Sequence, residues 1–280
     1  MQTRALVLGG GGITGVAWEF GIIAGLAEAG IDLAAADVII GTSAGSVVGA
    51  NIALGEDPQA LYARQLEAPA GEMAAKIGIP WIARFAWIGM TTRDPQQARR
   101  KMGQVALAAH TVPEAERRKV IESRLARHEW PDRALKLTAI DAGSGEFVVF
   151  DSAGEASLVD AVGASCAVPG IWPPVTIGNR RFFDGGLRTV ANADLAAGYD
   201  RVLIVAPIAG GGGPFADVER DAAALRKVSA QVVVVEPDAA AKTAIGRNVL
   251  DPARRAPAAR AGKIQAASVA EQVRALWQSG

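Results

Sequence analysis

The sequence predicts an α/β fold on a mostly parallel, doubly wound sheet. Three observations carry this. Short apolar runs alternate with helix-periodic segments. Two early runs end in glycine-framed turns that open helices. Half of the 280 residues are hydrophobic, enough for one large core.

Residues 5–8 form the first apolar strand, and Gly9 to Gly12 the loop behind it. Residues 16–29 have helical spacing, with Gly30 as their stop. Residues 38–40 are the second strand, followed by a serine-bearing turn and its helix. Further strands are expected at 135–140, 147–150, 202–205 and 232–235, with a short one at 180–183. Asp141-Ala142-Gly143-Ser144-Gly145-Glu146 has the composition of a hairpin turn. Helices are expected at 160–166, 192–198 and 216–228.

Residues 56–133 lack strand patterns, so they are expected to form a helical insertion or cap on a single domain of residues 1–280. Residues 252–280 are expected to be an Ala/Arg/Pro-rich connector and a docked helix with Ile264, Val269, Val273, Leu276 and Trp277 as its apolar positions.

Composition narrows the function. Lys plus Arg equals Asp plus Glu at 29 each, and no basic tract is interleaved with aromatics, so nucleic acid is not an expected partner. Cys166 is the single cysteine, so no intrachain disulfide forms. The two histidines, His110 and His128, lack the companions of a zinc site. No metal or cofactor is expected. No apolar run reaches the roughly 18 residues of a membrane span. A cytoplasmic protein is expected, with any membrane contact peripheral.

Gly41-Thr42-Ser43-Ala44-Gly45 is G-x-S-x-G between a strand and a helix, the setting of a nucleophile elbow. The helix start directs free N–H groups at the same point. Gly10-Gly11-Gly12-Ile13-Thr14-Gly15 is G-x-G-x-x-G after a strand. It fits a dinucleotide phosphate loop, an oxyanion hole or a tight turn. The dinucleotide reading expects an acidic residue at the end of the second strand, where Gly41-Thr42-Ser43 stands instead; Asp32 and Asp37 precede that strand.

A Ser-Asp-His order would need a histidine after His128, and there is none. Asp184-Gly185-Gly186, after Arg180-Arg181-Phe182-Phe183, is the best candidate base, its glycines leaving the carboxylate accessible. A turn aspartate is the plainer alternative. An ordinary carboxyl titrates near about 3.9, so a base here calls for desolvation.

Together these pieces resemble the patatin-like phospholipase family. Four blocks match in order: Gly10-Gly11-Gly12-Ile13-Thr14-Gly15, Gly41-Thr42-Ser43-Ala44-Gly45, Ala164-Ser165-Cys166-Ala167-Val168-Pro169 with Pro173-Pro174, and Asp184-Gly185-Gly186. The resemblance spans roughly residues 5–208. It implies a three-layer α/β/α sandwich and a Ser–Asp dyad, with Ser43 the nucleophile and Asp184 the base. It also implies an oxyanion hole from the N–H groups of Gly11 and Gly12, with Ala44. The family often has Lys or Arg where this chain has Thr14, which removes a positive charge near the site.

The expected activity is a serine acyl hydrolase for lipid carboxylic esters, of phospholipase A, lysophospholipase or lipase type. A nucleotide-binding enzyme and a non-catalytic lipid-binding protein are the alternatives. Ile77, Ile79, Trp81, Ile82, Phe85, Trp87, Ile88 and Met90 form a dense apolar stretch, and residues 72–127 hold eleven Lys or Arg against five Asp or Glu. This suits an amphipathic cap facing a lipid surface, or side chains packed on the sheet.

Overall fold

A computed structural model describes residues 2–68, 71–208, 218–228 and 230–278. Its strands are β1 (Arg4–Leu8), β2 (Val38–Gly41), β3 (Leu135–Asp141), β4 (Phe147–Phe150), β5 (Val175–Ile177), β6 (Arg180–Asp184), β7 (Arg201–Val205) and β8 (Gln231–Val235). The helices are α1 (Gly12–Glu28), α2 (Ala44–Ala53), α3 (Pro58–Leu66), α4 (Ile79–Thr91), α5 (Pro95–Ala108), α6 (Glu114–Arg124), α7 (Leu158–Ser165), α8 (Val218–Lys227), α9 (Ala239–Ile245) and α10 (Arg255–Gln278).

One sheet runs in the order β5-β6-β3-β2-β1-β7-β8, with β4 also on β3. From β3 to β8 the pairs are parallel; β4, β5 and β6 form an antiparallel end. Both faces are buried, as parallel strands require. Leu6, Leu8, Ile39, Leu137 and Leu203 meet α1, α2 and α10 on one face. Ala5, Val7, Ile40, Val202 and Ile204 meet α8 and the short turn Ala193–Ala196 on the other. The period of two in β1 thus divides one strand between two cores, giving the three-layer α/β/α sandwich.

The register of β3 positions the site. Leu137 pairs with both Gly41 of β2 and Phe150 of β4, so β2 and β4 flank opposite edges. Ala139 pairs with both Val148 of β4 and Asp184 of β6, so β6 shares the edge of β2. Asp184 therefore stands two residues beyond the point where β2 ends, about 7 Å along the strand.

Several boundaries differ from expectation. Gly12 opens α1 instead of closing the loop, its φ of 60° being one glycine adopts readily. Residues 192–198 contain only the 3₁₀ turn Ala193–Ala196, with Asn192 left-handed before it. Residues 216 and 217 of one expected helix lie outside the described residues, and α8 covers the rest. The expected connector is largely helical: Pro257 sits in the first turn of α10, where no N–H is needed. Ile264 is on the exposed side of α10, whereas Val273, Leu276 and Trp277 are buried. Strand β5 and helix α9 were not expected.

Helices α1 and α10 pack backbone to backbone. A Cβ on Gly262 would collide with the Trp18 carbonyl, and one on Gly21 with the Ala259 carbonyl. Trp18 Nε1 donates to Gln265 Oε1 at 3.1 Å across this seam. Gly262→Val is expected to lower unfolding free energy by about 2–3 kcal/mol, read as a fall in the urea midpoint. An unchanged midpoint would contradict the close packing.

Candidate active site

Ser43 stands between β2 and α2 with φ 52° and ψ −113°, one of two non-glycine residues with positive φ among the described residues. Such strain costs on the order of 1–3 kcal/mol and persists only where neighbours enforce it. They do so here. Gly45 N–H donates to Gly9 O and Thr42 O, both at 3.0 Å, and Ser43 N–H donates to Ser165 Oγ at 2.9 Å. A side chain at Gly45 would strike the Leu8 carbonyl, so the elbow lies directly on β1.

The Asp184 carboxylate accepts from the Gly186 N–H at 2.8 Å, and the Ser43 hydroxyl lies near enough to act on its titration. Asp184 is 3% exposed, so the glycines of its turn do not open it to solvent as expected. Burial lifts its carboxyl to about 7, against the opposing pull of the Ser43 hydroxyl and the Gly186 N–H.

A buried polar cluster ties the two turns together. Asn192 Nδ2 lies 3.1 Å from Thr42 Oγ1, 3.3 Å from Thr138 Oγ1 and 3.2 Å from Gly185 O. Thr42 Oγ1 and Thr138 Oγ1 share a hydrogen bond of 2.9 Å. Asn192 and Thr138 belong to none of the sequence motifs, and the hydrogen bond from Ser43 gives Ser165 a role that its motif did not assign. The adjacency of Ser165 to the small-residue and proline segment was the available signal for the last.

The glycine loop closes the other side. Gly9 N–H donates to Val205 O and Gly10 N–H to Val190 O. Among the described residues, the N–H groups of Gly11, Gly12 and Ala44 have no partner. Gly12 and Ala44 line one cavity with Ser43. Gly15 and Gly41 are structural: Cβ atoms there would press on Pro207 and on the Gly45 carbonyl.

The cavity at Ser43 is about 20 Å³. Beside it, sharing Ile13, Val16 and Arg124, lies one of about 180 Å³. Phe20, Val47 and Leu61 add to its apolar walls, and Arg64, Glu72 and Arg255 are among its charged ones. Thr14 is buried, its N–H donating to Val249 O at 3.1 Å. His110 and His128 are exposed, and neither lines the Ser43 cavity. Asp32 caps the turn Leu33–Ala35, and Asp37 accepts from Arg4 N–H at 2.6 Å. Both lie before β2, so no ribose anchor stands at the end of that strand. Among the described residues no group of acidic, His or Cys side chains forms a metal site.

Known proteins resemble the chain in sequence and fold. Lysophospholipase nte1 of Aspergillus niger is 46% identical over 85 residues, covering 30% of this chain and 5% of that protein. The chain thus spans a small fraction of this relative's length. VipD from Legionella pneumophila shares the fold with a TM-score of 0.51 at 14% identity, covering 97% of this chain and 67% of that one. ExoU, a type III effector of Pseudomonas aeruginosa, gives 0.43 at 18% identity, covering 97% and 53%. The profile of the family described as Patatin-like phospholipase matches residues 6–197, more than half of the chain. On that match, with the four sequence blocks gathered at one end of the sheet, the chain belongs to the patatin-like phospholipase family.

Proposed function

We propose that the protein is a serine hydrolase of lipid carboxylic esters, acting through a Ser43–Asp184 dyad and an acyl-enzyme. The observation that carries this is Ser43, held on a strained backbone turn, beside a carboxyl that burial lifts to about 7. Family membership supports the substrate class.

In this mechanism Ser43 Oγ attacks the ester carbonyl and its proton passes to Asp184 as the new C–O bond forms. Charge collects on the carbonyl oxygen, where the N–H groups of Gly11, Gly12 and Ala44 are the donors. Each such donor is worth about 3–4 kcal/mol. Collapse expels the alcohol, which takes the proton back from Asp184. Water, deprotonated by Asp184, then attacks acyl-Ser43 and releases the acid. The apolar walls of the larger cavity suit the acyl chain. A cavity of about 20 Å³ holds little more than a water, so the helices between β2 and β3 act as a cap that yields to the lipid.

Helix α4 is the element proposed to meet the lipid surface. Phe85 is buried, with Trp81 stacked on it at 4.3 Å and Trp81 Nε1 donating to Pro169 O at 2.6 Å. The same helix exposes Ile79 (82%), Ile82 (54%), Trp87 (66%) and Met90 (71%). Lys76, Arg84 and Arg93 are exposed beside them. Apolar side chains facing out among cations suit an anionic interface. Among the described residues no helix is long and apolar enough to cross a membrane.

Two measurements test the dyad. A fluorophosphonate probe is expected to add once to the wild type and not to Ser43→Ala, read by intact mass. Asp184→Asn is expected to lower ester hydrolysis by about 10²–10⁴-fold while remaining folded. Substantial turnover by either purified variant would remove the dyad.

The base must be ionised, so kcat/KM is expected to rise about tenfold per pH unit up to about pH 7 and then level. Stability runs the opposite way. The folded carboxyl holds its proton more tightly than the unfolded one, which titrates near about 3.9. The stability it contributes is complete below that value and is lost as pH rises towards 7. Asp184→Asn is therefore expected to gain melting temperature over the wild type at pH 8, with the gain shrinking at pH 4. A constant difference would mean that the carboxyl titrates normally.

Ile82→Ser with Trp87→Ser is expected to weaken binding to phosphatidylglycerol-containing vesicles at least fivefold. Undiminished co-sedimentation would discard the membrane role of α4.

A further inference from the structure

We propose that Leu250 is a stopper on the Ser43 cavity, drawn aside when α4 enters a lipid surface, so that the enzyme favours an ester at an interface over the same ester in solution. This rests on the esterase reading above and names how its site is opened.

Leu250 belongs to the loop 246–251, between α9 and the short turn Pro252–Arg254 that leads into α10. The loop lies outside residues 6–197, the part of the chain that the family profile matches. It is nonetheless pressed against the glycine loop. A Cβ on Gly12 would stand 2.6 Å from the Val249 carbonyl oxygen and 2.9 Å from Leu250 Cδ2. Val249 O also accepts from the Thr14 N–H, which sets the loop over the start of α1. Leu250 is 3% exposed and lines the cavity of about 20 Å³ with Ser43, Gly12 and Ala44.

Most other walls of this cavity belong to packed helices: Ile13 and Val16 to α1, Ala44 to α2, Arg117 and Arg124 to α6. Trp172 is stacked on Arg117, whose Cζ stands 3.9 Å from its ring centroid. Leu250 is held differently. Its N–H donates to Asn248 Oδ1 at 3.3 Å, and Asn248 Nδ2 donates to Ala75 O at 3.0 Å. One side-chain amide thus joins the stopper to the segment that enters α4. The amide oxygen meets a donor and the NH₂ an acceptor, so turning the amide over would break both bonds. Ala75 stands three residues before Gly78, the N-cap of α4. On its other side Glu72 is paired with Arg124. Ala75 therefore lies between a fixed point and the helix proposed to meet lipid.

Helix α4 has cause to move. Its exposed Ile79, Ile82, Trp87 and Met90 gain nothing in water and are buried at a lipid surface. Burying several large apolar side chains outweighs one amide hydrogen bond, which water replaces. Displacing α4 carries Ala75 away from Asn248, and the freed amide no longer fixes the Leu250 N–H. Leu250 then needs only a change of rotamer to uncover Ser43. In water the latch stays closed, and a cavity with room for little more than a water excludes the ester.

Hydrolysis of p-nitrophenyl butyrate in solution tests the stopper, with and without vesicles of uncleavable diether phosphatidylglycerol. Vesicles are expected to raise wild-type kcat/KM at least tenfold. Leu250→Ala should raise the rate without vesicles at least fivefold and cut the stimulation below threefold. Asn248→Asp keeps an acceptor for the Leu250 N–H but offers Ala75 O no donor; it should raise the rate without vesicles at least threefold. A merely structural role for either residue would lower both rates. That outcome overturns the stopper, as does a wild type that vesicles do not speed. Should Leu250→Ala not fold, Asn248→Asp decides: a rate without vesicles within twofold of the wild type overturns the latch. The rate of fluorophosphonate labelling at Ser43 separates the stopper from the esterase reading. Labelling equally fast in all three proteins, with and without vesicles, leaves the hydrolase and removes the stopper. No labelling in any of them removes the hydrolase, and the stopper proposed for it falls too.

Discussion

One edge of β3 carries the site. Strand β2 occupies its first three residues and β6 its last three. Because both lie on the same edge, the chain leaving β2 must turn away where β6 arrives. That turn is Thr42-Ser43, and the arriving residue is Asp184. Ser43 and Asp184 are thus neighbours by sheet pairing, although 141 positions separate them in sequence. A one-residue slip of β6 would send the carboxylate to the opposite face. The Thr42, Thr138 and Asn192 cluster pins that register, since its members come from β3 and from the turns after β2 and β6.

The same closeness accounts for the chemistry of Asp184. Behind it lie Phe182 and Phe183 of the antiparallel end, both buried. The neighbouring Ser43 opens only onto a cavity of about 20 Å³, room for little more than a water. Burial disfavours the charged form of such a carboxyl, which therefore keeps its proton up to about pH 7. Glu19 provides the contrast. It is fully buried on α1, its carboxylate oxygens have no hydrogen-bond partner among the described residues, and burial pushes its carboxyl well above the usual range. It does not line the Ser43 cavity, so burial alone does not bring a carboxyl into the site.

Much of this was legible in the sequence, for identifiable reasons. The parallel strands are apolar runs of four or five residues, and burial on both faces makes such runs conspicuous. The glycine turns were legible because close approach to β1 and to Pro207 excludes side chains there. Strand β5 was not: its three residues follow Pro173-Pro174 and are too few to establish a period. Asn192 was read into a helix because its neighbours are small and apolar, whereas its left-handed φ is imposed by partners 54 and 150 positions away. Arg117 was hidden in Glu114-Ala115-Glu116-Arg117-Arg118-Lys119, which reads as a solvated face. The apolar stretch of α4 offered two readings, and the helix splits between them: Trp81 and Phe85 pack inward, while Ile82 and Trp87 face out.

Departures from ordinary folding rules gather around one small volume. Ser43 has a backbone conformation disfavoured for its type, Asp184 is a buried acid, and Arg117 is a buried cation with an unfilled donor. Each opposes folding, and none improves the core. The parallel strands β1, β2, β3 and β7, by contrast, satisfy sheet pairing and two-faced burial together. Local conflict in an otherwise consistent chain is the mark of a functional site. The α1–α10 seam helps the chain tolerate it. Helix α1 begins in the glycine loop and is clamped along its length by α10, so the loop's free N–H groups project from a fixed helix end. Donors held in this way need not reorganise as charge develops on a bound ester, which is the condition under which they lower a barrier most.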